Sequence, residues 1–179
     1  MNTQKTKYKQ TEIGMILEDF ERGDDFVKAV SEFLLKEKFL FAEDLNERTM
    51  THKLAEYLQK YFQDYNVDCE YNRMLNNEKY DTKRLNLDDY IEYAKTDDNK
   101  GTTVFPDIII HKRGNNENNL MVIEVKKNCN NGSKDVDFKK LKAFTSQLKY
   151  EYGIYLEFDT EKVCEMNFFK EGQEIKNEI

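Results

Sequence analysis

Two apolar runs, Val104 to His111 and Leu120 to Lys127, stand either side of a polar Gly/Asn segment, Gly114 to Asn119. β-Branched and aliphatic residues dominate both runs, and a short connection of that composition joins antiparallel neighbours, so the stretch reads as a β-hairpin. Its hold on the fold comes from the charges inside it. Asp107 interrupts the first run directly after Pro106, and Glu124 and Lys126 interrupt the second. Side chains alternate across a strand, which puts Glu124 and Lys126 on one face and Ile123 and Val125 on the other. A carboxylate and an ammonium on one face of a central strand are costly to bury unless something pairs or coordinates them. The bland alternative is a surface Asp at a strand entrance and an exposed Glu–Lys pair.

The elements around the hairpin follow from periodicity. Residues 1–12 form a polar lead-in. From Asp24 to Phe41, the residues Phe26, Val27, Val30, Phe33 and Leu34 have helical spacing, with Asp24 and Asp25 suited to the positive end of the helix. A second helix is expected from Ala42 to Phe62, with Met50, Leu54, Leu58, Tyr61 and Phe62 as its stripe. At about 100° per residue, Glu47 lies within about 20° of the direction of Leu54, whereas Glu56 falls about 160° away and should face water. Glu47 therefore points to the core side, where an isolated carboxylate needs a partner. Its bland reading is a helix-start acid, a role that Glu43 or Asp44 would fill equally. His52 falls well off the stripe and reads as a surface or shallowly packed histidine.

Asn66 to Tyr71 alternates Val67, Cys69 and Tyr71 with Asp68 and Glu70, a half-buried strand. Asn72 to Thr103 is polar, with one short helix expected over Leu87 to Ala94 behind Asn86 as its cap. Arg73, Lys79, Lys83 and Arg84 could meet phosphates there, although a solvated, mobile loop is the plainer reading. After the hairpin come an Asn/Gly-rich loop (Asn128 to Lys134) and a helix from Asp135 to Tyr150 carrying Phe138, Leu141, Phe144 and Leu148 on one face. A strand from Tyr152 to Phe158 follows, then a further strand (Lys162 to Phe169), a turn near Gly172 and a charged tail.

Pro106-Asp107, with Glu124-Val125-Lys126 on the next strand, resembles the PD-(D/E)XK signature of the restriction-endonuclease-like nucleases. The order helix, strand, strand, strand, helix, strand matches the αβββαβ core of that fold over residues 43–159. The resemblance implies an α/β fold in one domain spanning residues 1–179. Its central mixed sheet is flanked by helices, with an extra N-terminal helix and a C-terminal strand extension.

It also implies a metal-dependent nuclease acting on nucleic acid, DNA before RNA. Phosphodiester hydrolysis needs an activated water and a positive charge against the transition state, and Mg²⁺ supplies both while bound by one or two carboxylates; Mn²⁺ should substitute. Asp107 and Glu124 would be those carboxylates, and the family resemblance adds the backbone carbonyl of Val125 as a third oxygen. Lys126 would orient the attacking water or help to deprotonate it, its pKa depressed beside a metal. Glu47 would touch a second metal or a metal-bound water. Asp107→Ala is expected to relieve repulsion between two carboxylates and so to raise stability.

The formal net charge of −7 argues against coating nucleic acid by bulk charge and leaves room for a local basic cleft. Lysines crowd the segment after the motif, and Lys127, Lys134, Lys139, Lys140 and Lys142 are the expected nucleic-acid contacts. A solvated helix face opposite Phe138 and Leu141 accounts for the same lysines. The competing function is a non-catalytic module of this fold that binds nucleic acid or a protein; the complete set Asp107, Glu124 and Lys126 favours the enzyme. No apolar run approaches the ~20 residues of a membrane span, and the polar start is no signal peptide. Cys69, Cys129 and Cys164, in no metal spacing, read as reduced thiols of a cytoplasmic protein. A second copy of the chain stays open as a partner.

Overall fold

The computed structural model describes residues 20–42, 46–76, 79–87, 102–127, 134–159 and 162–175. Helix α1 (Gly23–Lys36) buries Phe26, Ala29, Val30, Phe33 and Leu34, with Asp24 and Asp25 in its first turn and Lys36 in its last. The helix expected to run on to Phe41 breaks at Glu37, which leaves the helical path, and a short α2 (Lys38–Ala42) follows. Helix α3 (Glu47–Tyr61) starts at Glu47 because the Asn46 side chain caps it, accepting the Thr49 N–H at 2.9 Å. Met50, Thr51, Leu54, Ala55 and Leu58 form its buried stripe.

The strands are β1 (Asn66–Cys69), β2 (Arg73–Asn76), β3 (Lys79–Thr82), β4 (Arg84–Leu85), β5 (Thr102–Thr103), β6 (Ile108–His111) and β7 (Asn119–Lys127). Helix α4 (Asp135–Gln147) leads to β8 (Tyr152–Asp159), β9 (Lys162–Lys170) and β10 (Gln173–Ile175). Strand β1 stops short of Tyr71 because Glu70 turns left-handed (φ 50) and sends its N–H to the carbonyls of Pro106 and Asp107. Strand β6 begins after Asp107, later than expected. Two short antiparallel pairs, β2–β3 and β4–β5, occupy the segment that reads as polar loop. The helix expected at 87–94 lies, beyond Leu87, outside the described residues.

A six-stranded mixed sheet runs in the order β1-β6-β7-β8-β9-β10. Among the described residues only β7 and β8 pair in parallel, and α4 is the crossover that a parallel neighbour requires. Helices flank the sheet. Ile108, Ile110, Ile123 and Val125 pack with α1 and α3, while Ile109 and Val122 pack with Leu141, Ala143 and Phe144 of α4 and with Leu85 of β4. A side chain on Gly153 would press against Phe169, Thr145 and Leu141 at 3.2–3.3 Å, so the glycine lets α4 lie close on β8.

Strand β7 is buried from Asn119 to Val125, and Glu124, in phase with Val122, faces α4. Among the described residues no helix is long and apolar enough to cross a membrane. Cys69 is a free thiol, but Cys164 is disulfide-bonded, which corrects the expectation of reduced cysteines at that position.

Candidate functional site

The β6–β7 hairpin brings its two acids to one place. Ile108 stands opposite Ile123, so the next step of the register sets Asp107 against Glu124. Asp107 precedes the strand, and its side chain takes the bond that a backbone carbonyl would otherwise make: Oδ2 accepts the Val125 N–H at 2.8 Å. Glu124 is 1% exposed. Its Oε2 accepts from Lys140 Nζ at 3.3 Å, and its Oε1 has no partner.

Lysines link these acids to two others. Lys140 also donates to Asp137 Oδ1 at 3.2 Å. The other oxygen of Asp137 is 3.6 Å from Lys126 Nζ, and Lys126 donates to Glu47 Oε1 at 3.2 Å. Glu47 Oε2 accepts the Lys127 N–H at 3.3 Å. An alternating row results, Glu47–Lys126–Asp137–Lys140–Glu124, with Asp107 beside its inner end. With all six ionised, four carboxylates face two ammoniums.

Burial sets the electrostatics. It pushes Glu124 up to about 8, with the Asp107 charge adding to it and Lys140 opposing. Asp107 is raised as well, by burial first, against the pull of the Val125 N–H and of Lys126. Burial works against the Lys126 ammonium, but Asp137 and Glu47 outweigh it and leave its pKa raised. The depressed value expected beside a metal is therefore not what these carboxylates produce. Lys140 is raised in the same way, burial being outweighed by Glu124 and Asp137.

A cleft of about 410 Å³ opens beside the row, lined by Glu47, Arg48, Thr51, His52, Cys69, Glu70 and Asp107. Asp107 forms part of its wall, and Glu124 lies behind. Burial, with Asp107 second, pushes the Cys69 thiol up to about 11, so it carries no thiolate chemistry at neutral pH. Glu56 points to solvent, paired with Lys53 and His52. A second concavity, about 470 Å³ and lined among others by Glu117, Asn119, Lys149 and Glu151, lies at the opposite end of β7 and holds none of these acids. Among the described residues no group of three or more His, Cys, Asp or Glu side chains is gathered tightly enough to hold a metal ion as it stands.

The lysines expected to meet nucleic acid divide into two groups. Lys140 is turned inward to Glu124 and Asp137, and Lys134 is held by Glu165 and by Glu157 at 3.2 Å. Lys139 and Lys142 are half-buried on α4, and Lys127 closes β7. Among the basic residues of the polar segment, Lys83 is buried rather than solvated. Its Nζ lies 4.7 Å from the centre of the Tyr71 ring, and burial pushes its pKa down to about 8.

Asp137 and the inward turn of Lys140 are what sequence reasoning missed. A signal was present. Asp137 precedes Leu141 by four residues and Lys140 precedes Phe144 by four, so each lies within about 40° of a buried position on α4. The chain matches no protein-family model, no curated protein and no solved structure.

Proposed function

We propose that the chain is a divalent-cation-dependent nuclease with a restriction-endonuclease-like core, hydrolysing phosphodiester bonds of nucleic acid, DNA before RNA. One observation carries the reading: Asp107 and Glu124 meet at one end of the hairpin with Lys126 and Glu47 beside them, and Glu124 keeps a buried oxygen without a partner. The donor set fits an oxygen-seeking cation. Two carboxylates raised by burial gain from a positive charge, which draws them into the ionised form that binds a cation.

Asp107 and Glu124 would hold the ion, with the backbone carbonyl of Val125. When bound it supplies Lewis-acid charge and lowers the pKa of a coordinated water. Lys126, kept cationic by Asp137 and Glu47, is suited to donate to the attacking water and to meet charge on the phosphate, and less suited to take a proton. Glu47 fixes that ammonium from the cleft side, and would hold a second metal or a metal-bound water. The cleft between α3 and β1 would take the nucleic-acid strand.

The test is incubation with single- and double-stranded DNA and RNA under Mg²⁺ or Mn²⁺. Cleavage that stops with a chelator and is lost in Asp107→Asn and Lys126→Met is the expected result. The second reading, a non-catalytic module, draws on the lysines already seated against the acids. Salt-sensitive binding without cleavage of any substrate under Mn²⁺ would establish it in place of the first.

A further inference from the structure

We infer that Lys140 is a resident counter-ion of the site, a side chain that holds the cation position against Glu124 and yields it to a divalent metal by moving over to Asp137. The inference rests on the reading of Asp107 and Glu124 as metal ligands. Lys140 Nζ stands midway between two buried carboxylates, 3.3 Å from Glu124 Oε2 on β7 and 3.2 Å from Asp137 Oδ1 one turn back on its own helix. The two acids are unequal. Lys140 is the only ammonium hydrogen-bonded to Glu124 among the described residues, whereas Asp137 is shared with Lys126.

An ammonium with two acceptors in reach can release one and keep the other, so handing over Glu124 costs one hydrogen bond and strands no charge. The buried Oε1 of Glu124 accepts no hydrogen bond, so one oxygen of the carboxyl has its lone pairs unused while the other faces Lys140. With a doubly charged ion held by Asp107 and Glu124, the Lys140 ammonium would be driven by like-charge repulsion towards Asp137, whose second oxygen already faces Lys126. Lys140 thereby competes with the metal and sets the concentration at which the site loads. It also gives the ionised form of Glu124 a cation before loading.

The test is metal binding, read by calorimetry and by thermal unfolding, on the full chain. In Lys140→Gln the competitor is gone, and the Mg²⁺ or Mn²⁺ dissociation constant should fall by about tenfold or more, the size of effect that one removed like charge has at this range. The melting temperature without metal should drop, and the gain on adding metal should grow. Lys140→Arg restores the charge and should return both readouts towards wild type. In the wild-type protein, the Lys140 ε-methylene NMR signals should move on titration with Mg²⁺, while those of the exposed Lys60 stay in place. This second measurement serves if Lys140→Gln fails to fold. A purely structural ion pair would lower the melting temperature with no gain in metal affinity; that result, or a still Lys140 signal under saturating Mg²⁺, overturns the inference alone. No binding of either metal to the wild-type protein removes the metal reading itself, and the inference with it.

Discussion

The Asp107 carboxylate holds the backbone N–H of Val125 at 2.8 Å, so one candidate ligand is fastened to the residue next to the other. The side chain thus has a structural task besides its charge. Asp107→Ala removes the charge but leaves a buried N–H in the central strand without an acceptor, whereas Asp107→Asn removes the same charge and keeps an acceptor. The Asn variant should be the more stable of the two by about 1–3 kcal/mol in denaturant unfolding, and neither should cleave. Equal stabilities would show that the bond contributes nothing. The simple expectation that Ala relieves repulsion and stabilises the fold omits this bond.

Glu124 predicts a pH dependence with a definite sign. Its folded pKa, about 8, lies above the ordinary 4.5. Between those values the unfolded chain has lost the proton and the folded chain keeps it, so stability falls as pH rises through that window and levels beyond it. Unfolding free energies measured without divalent metal should trace this descent, and Glu124→Gln should flatten it. Metal affinity should run the other way, tightening as pH rises, since the metal takes the carboxylate and not the acid. A stability profile flat from pH 5 to 8 would be inconsistent with a Glu124 pKa near 8.

Glu47 separates activity from stability. It and Lys126 are each 36% exposed at the side chain, so their ion pair contributes less than ~1 kcal/mol to the fold. Glu47→Gln should melt within a few degrees of wild type yet cleave at least about tenfold more slowly, the effect of ~1.4 kcal/mol at the transition state, because Lys126 loses its fixed position. Lys126→Met should cost about 10²- to 10⁴-fold. An unchanged rate in Glu47→Gln would take it out of the site.

Salt dependence should distinguish the lysines of and before α4. Removing a residue that contacts duplex phosphate lowers the slope of log affinity against log salt by about 0.9. Lys139→Gln and Lys142→Gln should each show that loss. Lys134→Gln should show less, since Glu157 and Glu165 already hold its ammonium. The reverse pattern would move the binding surface off α4.

The hairpin and the phase of Glu47 were legible because each rests on a strict period. Two residues per pleat placed Glu124 and Lys126 together, and the helical turn put Glu47, not Glu56, towards β7. Asp137 was harder to see, since an acid on an apolar stripe acquires meaning only from Lys126 and Lys140 across from it. Strands β2 to β5 have two to four residues each, too short for any alternation to register. Lys83 shows the same limit. Nothing in its neighbours along the chain announces that two tyrosine rings, Tyr71 and Tyr150, will cover its ammonium.

The parallel pairing of β7 with β8 through α4 has a consequence for how the row of charges comes together. Glu124 and Lys140 are 16 residues apart, joined by the crossover, whereas Glu47 and Lys126 are 79 apart. Closing the longer span costs about 1.4 kcal/mol more in chain entropy, before anything is gained from the contact. The contact between Glu124 and its counter-ion is therefore the cheaper of the two to close. The clamp on Lys126 forms only when the start of α3 docks beside β7, so it is the contact of the row that depends on the longest loop.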